Sequence, residues 1–154
     1  RITASRALRG ERSVGAELVA RVAAAAQDCH IVATHVAFGA YDPYQAVSSA
    51  AIGTIELTCA EGTPYTIRIG FGQNTSDNTQ RRMRHVGGMG MLAYNLYRNA
   101  AGTEIWGDGS HSTFVQSGMT DKTSDRLLVY GRLPGRQNVR AGSYADAVTV
   151  TAEW

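Results

Sequence analysis

The chain has 154 residues, a formal net charge of +2, 17 glycines against 3 prolines, and only 18% charged residues. A single domain of that length can bury a sizeable core, and so small a net charge gives no argument for nucleic acid or an anionic membrane surface as a partner. No apolar run is long enough to span a bilayer, so stable membrane insertion is not expected, and a Gly-rich chain suits a sheet protein with many turns better than a helical bundle.

Residues 1–12 form a basic, unpatterned leader, with Arg1, Arg6, Arg9 and Arg12 against Glu11. Residues 13–27 are a distinct segment. Val14, Ala16, Leu18, Ala20, Val22, Ala24 and Ala26 share one parity, and Ser13, Gly15, Glu17 and Arg21 stand on the other. A period of two fits a strand with one apolar face. Propensity points the other way, because Ala, Leu, Glu and Arg favour helix and Leu18 and Val22 also stand at i and i+4. Pattern alone leaves both open. The run Val19–Gln27 superficially resembles the end of a signal peptide. Glu17 and Arg21 break it up and it is short, so the expectation is that any export signal has already been removed.

From Cys29 onward the chain reads as six or seven short strands between Gly, Asn, Asp and Ser clusters, an antiparallel β-sandwich over 28–154. The first run, CHIVATHVAFG, places Val32, Val36 and Phe38 on one parity and ends at the Asp42-Pro43 turn. AIGTIELTCAEG alternates Ile55, Leu57 and Cys59 against Thr54, Glu56 and Thr58, and PYTIRIGFG alternates Tyr65, Ile67, Ile69 and Phe71 against Thr66 and Arg68. Residues 72–89, polar and rich in arginine and glycine, are expected to be a long connection. MLAYNLYRN gives Leu92, Tyr94 and Leu96 on one parity. A short stretch surrounds Ile105-Trp106, and DRLLVYGRLPG is a strand ending at Pro134-Gly135. The last run places Tyr144, Val148, Val150 and Trp154 on one parity.

Little in the chain suggests chemistry. Asp108 with His111, and Asp42 with His35, lack a third group or a nucleophile motif and read as solvated turns. Arg81, Arg82 and Arg84 beside His85 read as a solvated loop, and Gly87–Gly90 is no phosphate cradle because no helix follows it. Tyr41, Tyr44, Tyr94 and Tyr97 are expected to pack in the core or at edges. No catalytic residue, metal or cofactor is expected. Cys29 and Cys59 are the only cysteines. They fit one disulfide, two buried thiols or half a metal site, the last unsupported because there is no CxxC and His30, His35, His85 and His111 lack ligand spacing.

Several of these motifs occur together, in order, in one family. Cys29 followed by an apolar strand into FGAYDP, the second cysteine in IELTCAEG, RRM (Arg81–Met83), LAYNLYRN, the IWGDG turn and the close YGRLPGRQNVRAGSYADAVTVTAEW resemble the spore coat protein U domain. The resemblance runs from about Cys29 to Trp154, and that family includes pilins of archaic, Csu-type chaperone–usher pili. It implies an immunoglobulin-like sandwich lacking its last strand, with a Cys29–Cys59 disulfide. The resulting groove, with Val32, Val36, Phe38, Tyr144, Val148 and Val150 as candidate lining, would be filled by the N-terminal strand of a neighbouring subunit. The 13–27 segment is then the donor, which settles it as a strand whose inserted residues are Val14, Ala16, Leu18, Ala20, Val22 and Ala24. The resemblance further implies a linear homopolymer, a periplasmic chaperone and an outer-membrane usher as assembly partners, and a final place on the cell surface in adhesion and biofilm formation. Its alternatives are a tip adhesin and a self-complemented surface or spore coat protein. The leader 1–12 has no counterpart in the resemblance.

Overall fold

The computed structural model describes residues 14–22, 29–77, 79–121 and 124–154, with the side chain of Val22 left out. The leader, Ala24 and the rest of 23–28 therefore lie outside the described residues. Ten strands run through them: β1 (Val14–Val22), β2 (His30–Ala33), β3 (Val36–Gly39), β4 (Ser49–Thr58), β5 (Pro64–Ile69), β6 (Arg81–His85), β7 (Met91–Tyr97), β8 (Gln116–Met119), β9 (Ser124–Leu133) and β10 (Tyr144–Glu153). The hydrogen-bonded order is β2-β4-β9-β7-β6-β10-β1-β3, with β8 pairing β5 and β5 pairing β10. The sheet curls so that its inner faces enclose one core. Ile55, Leu57, Ile67, Ile69, Leu92, Leu96, Val129 and Val150 there have no exposed surface. The alternation in β4, β5, β7 and β10 does this, since a strand buried on one face needs an apolar side chain at every second position.

The run from His30 to Gly39 is not one strand. It crosses from one face of the sandwich to the other at Thr34-His35: β2 pairs with β4, whereas β3 pairs with β1. Thr34 holds the crossing, its amide donating to Thr54 O at 2.8 Å and its Oγ1 accepting from Thr54 N at 2.9 Å. The change of sheet flips the parity. Ala33 points inward before the crossing and Val36 after it, and both are fully buried. Val32 consequently faces outward, 57% exposed, so its assignment to the groove is corrected here. Gly53 and Gly131 let the crossing lie close: a Cβ on Gly53 would stand 2.8 Å from Val36 Cγ2, and one on Gly131 would stand 2.5 Å from Val36 Cγ1.

The expected long connection at 72–89 contains β6, which bridges β7 and the start of β10. Its inward residues are Arg81, Met83 and His85, so apolar alternation could not reveal it. Arg81 has no exposed surface, against the expected solvated loop. Its Nε donates to Gly70 O at 2.9 Å, Nη1 to Asn95 Oδ1 at 2.8 Å, and Nη2 to Ile69 O at 3.1 Å and Trp106 O at 2.6 Å. The guanidinium also lies 4.7 Å from the Phe71 ring centroid. One buried cation thus ties β5, β6, β7 and the Trp106 turn together, and burial pushes its pKa down to about 10. Short β8 was likewise not expected, having no alternating pattern in QSGM.

Candidate functional site: the groove filled by β1

Between β3 and β10 lies a slot the length of a strand, and β1 fills it. β1 pairs with β10 in parallel over nine positions, from Val14↔Tyr144 through Leu18↔Val148 to Val22↔Ala152. On its other edge it pairs antiparallel with β3, Gly15 with Ala37 and Ala16 with Val36. Among the described strands this is the one parallel pair, the rest of the sheet being antiparallel. Without β1, β3 and β10 would present facing rows of unpaired N–H and C=O groups on either side of an open core.

The inward row of β1 completes that core. Val14 is 1% exposed, and Ala16 and Leu18 are fully buried. Ala20 is half-buried, so insertion is deepest over the first five residues of the strand. Of the candidate lining residues, Val36, Tyr144, Val148 and Val150 are buried beside this row, and Phe38 is partly buried against the core. Phe38 meets Tyr94 edge-on with centroids 6.3 Å apart. Glu17 projects from the opposite face yet is 8% exposed, beside a polar cavity of about 550 Å³ that it lines with Asn74, Arg84, His85 and Asp146. The sequence placed Glu17 only on the parity opposite the apolar row.

Beneath Ala16 a polar network fixes the groove floor. Asp146, level with Ala16, accepts from Tyr94 Oη at 2.7 Å, and from Gln73 N and Asn74 Nδ2 at 3.0 Å each. Burial raises the Asp146 carboxyl above its ordinary range in spite of these donors, and burial also lifts the Tyr94 hydroxyl. At the groove's entrance Tyr144 Oη donates to Arg140 O at 2.6 Å, and its ring meets His85 edge-on. Alternation gave no signal for Asp146 or Arg81 as buried supports, since each is a polar residue at an inward position; both stand in motifs that carry the family resemblance, Arg81 in RRM and Asp146 in GSYAD, but the resemblance assigned them no role.

Cys29 and Cys59 form a disulfide that ties the start of the run into β2 to the end of β4. Asp108 and His111 lie in a turn where Ser110, through its N–H and Oγ, donates to Asp108 Oδ1 at 2.9 and 2.6 Å. That holds the Asp108 carboxyl below its ordinary range. His35 does not meet Asp42: its Nδ1 is buried with no hydrogen-bond partner, while Asp42 Oδ1 accepts from Tyr44 N at 2.9 Å. Among the described residues no group of three or more His, Cys, Asp or Glu is placed to hold a metal ion.

Comparison with known proteins points the same way as the groove. Protein U of Myxococcus xanthus is 29% identical over 126 residues, covering 74% of this chain and 68% of that protein. The structure resembles one in the solved complex of CsuC with CsuE, a chaperone–tip adhesion subunit pre-assembly complex from the archaic chaperone–usher Csu pili of Acinetobacter baumannii. The TM-score is 0.61 at 23% identity over 82% of this chain. The chain spans 39% of the length of that solved chain, and the likeness is one of fold: an immunoglobulin-like sandwich. The spore coat protein U domain matches residues 15–151, beginning inside β1 and so earlier than Cys29, where the sequence resemblance starts. By that match, over most of its length and with β1 included, the chain belongs to the spore coat protein U domain family.

Proposed function

We propose that this protein is the repeating structural subunit of an extracellular fibre, an archaic chaperone–usher pilus rod, and that β1 is the strand each copy gives to the next. The observation that carries the reading is the seating of β1: a separate nine-residue strand, hydrogen-bonded on both edges, closes a sandwich that is otherwise open between β3 and β10. Such an element can leave its own chain and complete an identical neighbour with the same contacts, the logic of strand exchange and of β-augmentation. Burial of Val14 and Leu18 supplies about 1.5–3 kcal/mol each, and the two ladders of backbone hydrogen bonds add to it. Before assembly, a chain with its groove empty needs a cover, the role this reading gives to a periplasmic chaperone, with an outer-membrane usher as the assembly site. The chain serves adhesion and biofilm formation as a building element, not as an enzyme.

The test is Leu18→Arg, expressed with the assembly machinery. The substitution puts a charge into a fully buried position, and fibres are expected to disappear while chaperone binding persists. Normal fibres from this variant would sink the donor assignment. A second reading, a self-complemented surface or coat protein, is favoured by β1 lying in the groove of its own chain. It predicts a stable soluble monomer; glycan affinity in such a monomer would point to a tip adhesin instead.

A further inference from the structure

The polar network on Asp146 also shapes the outer face of the sheet, away from the groove. Gln73 N and Asn74 Nδ2 both donate to Asp146 Oδ1 at 3.0 Å, and Gly70 N donates to Thr149 O at 2.9 Å. The 70–74 segment is thereby pinned along β10 as a fixed wall. Gly72 lets it lie so close: its φ is +85°, and a Cβ there would overlap the Asp146 carboxyl. Opposite this wall stand Glu17 and Val19, the residues of β1 level with Ala147 and Thr149. Between the walls two adjoining cavities, of about 550 and 400 Å³, share Gln73 and Ala147 and so form one trough along β10. From Ala145 to Thr149 its floor runs about 13 Å, four residues at strand rise. Small side chains, Ala145, Ala147 and Thr149, keep that floor low. Phe71, held with its ring centroid 4.7 Å from the Arg81 guanidinium, and Arg84 line the side away from β1.

The chemistry of the lining narrows the occupant. The side chains of Arg84 and Gln73 meet no protein partner among the described residues. Asn74 donates through Nδ2 to Arg82 O and to Asp146, and keeps its Oδ1 as an acceptor. Donors and acceptors thus stand together beside small side chains, with one guanidinium against the Glu17 and Asp146 carboxyls. Such a balance of charge favours neither a polyanion nor a polycation. The polar walls disfavour a lipid chain. An extended peptide would gain no ladder, because the trough lies over the faces of β1 and β10 and not along a strand edge. What remains is an uncharged ligand rich in hydroxyls. We infer that this trough is a saccharide site, taking a short neutral oligosaccharide whose ring faces lie on Ala145 and Ala147 and whose hydroxyls meet Arg84, Asn74 and Gln73. One wall belongs to β1, so the site is whole only when the groove is filled. Whose β1 fills it does not matter: in the single chain the site lies within one copy, and under the polymer reading each joint carries one site built by two copies. Failure of either claim leaves the other standing.

The test is binding of the neutral trisaccharides maltotriose, cellotriose, laminaritriose and mannotriose to the purified chain, with trigalacturonate as the charged comparison. Saturation-transfer-difference NMR detects binding and calorimetry measures it. At least one neutral trisaccharide is expected to bind. Arg84→Ala, and Ala147→Leu, which raises the floor, are each expected to weaken that binding at least about tenfold. Arg82→Ala, on the same strand but outside the lining, should leave affinity unchanged. Circular dichroism and melting check that each variant is folded. Arg84 is exposed and outside the core, so its variant decides the matter if Ala147→Leu does not fold. Three results overturn the inference: no binding of any neutral trisaccharide, binding that the substitutions at Arg84 and Ala147 leave unchanged, or trigalacturonate binding more tightly than every neutral one.

Discussion

Truncating Leu18 isolates what β1 contributes to the single chain. Leu18 is fully buried and level with Val148, whereas Val19, its neighbour on the opposite face, is only half-buried. Leu18→Ala removes three carbons from a closed core and leaves a void that the β10 ladder beside it prevents from collapsing. The expected loss is about 3–4 kcal/mol, the middle of the range for buried leucines. In a domain of this size that corresponds to a melting temperature lower by roughly 6–16 °C. Val19→Ala, in the same strand with the same backbone bonds, should change stability by less than about 1 kcal/mol. The assay is urea unfolding of the purified monomer, followed by tyrosine and tryptophan fluorescence. The midpoint should shift for Leu18→Ala without a change in slope, since a changed slope would mean that β1 detaches in the native state. Equal effects of the two substitutions, or a Leu18→Ala effect below about 0.5 kcal/mol, would refute the seating of β1 in its own groove.

Three further outcomes follow from the core and its polar supports. Arg81→Met leaves the carbonyls of Gly70, Ile69 and Trp106 without their donor; a loss of about 3–5 kcal/mol is expected in denaturant unfolding, with Arg81→Lys recovering only part of it because an ammonium cannot reproduce the fork. Cys29→Ser with Cys59→Ser opens a loop of 30-residue separation and should lower unfolding free energy by about 3–4 kcal/mol, read from urea midpoints with and without reductant. Asp146 holds its proton more tightly in the folded chain than in the unfolded one, so its contribution is fully present below the ordinary carboxylate value of 3.8 and is lost as pH rises through the raised folded value. The difference in stability between wild type and Asp146→Asn should therefore move against the wild type across that window. A pH-independent difference would show that the carboxyl is not desolvated.

The fold was legible wherever an interior row is apolar. Ile55, Leu57 and Cys59, then Tyr65, Ile67 and Ile69, then Leu92, Tyr94 and Leu96 all point inward as alternation requires. β6 was hidden because its inward residues are an arginine, a methionine and a histidine, and the arginine is satisfied by carbonyls from distant elements that no local pattern encodes. Val32 was misplaced because the chain changes sheets at Thr34-His35, which flips parity between β2 and β3, and such a crossing leaves no mark on an apolar run. The alternation of Val14, Ala16 and Leu18 announced a strand, but alternation has no direction. That β1 runs parallel to β10 within one chain depends on the short span between Val22 and His30 and on where β2 begins. Asp146 and Tyr94 are far apart in sequence and meet only through the packing of β7 and β10 under Ala16.

The central claim is that copies of this chain join by giving β1 to one another, and negative-stain electron microscopy of the protein taken unheated from its native source tests it most directly. Thin filaments of uniform width, absent when Leu18 is replaced by Arg, are the expected result. Discrete, monodisperse particles of single-chain size would contradict it, and would mean that β1 stays in the groove of its own chain.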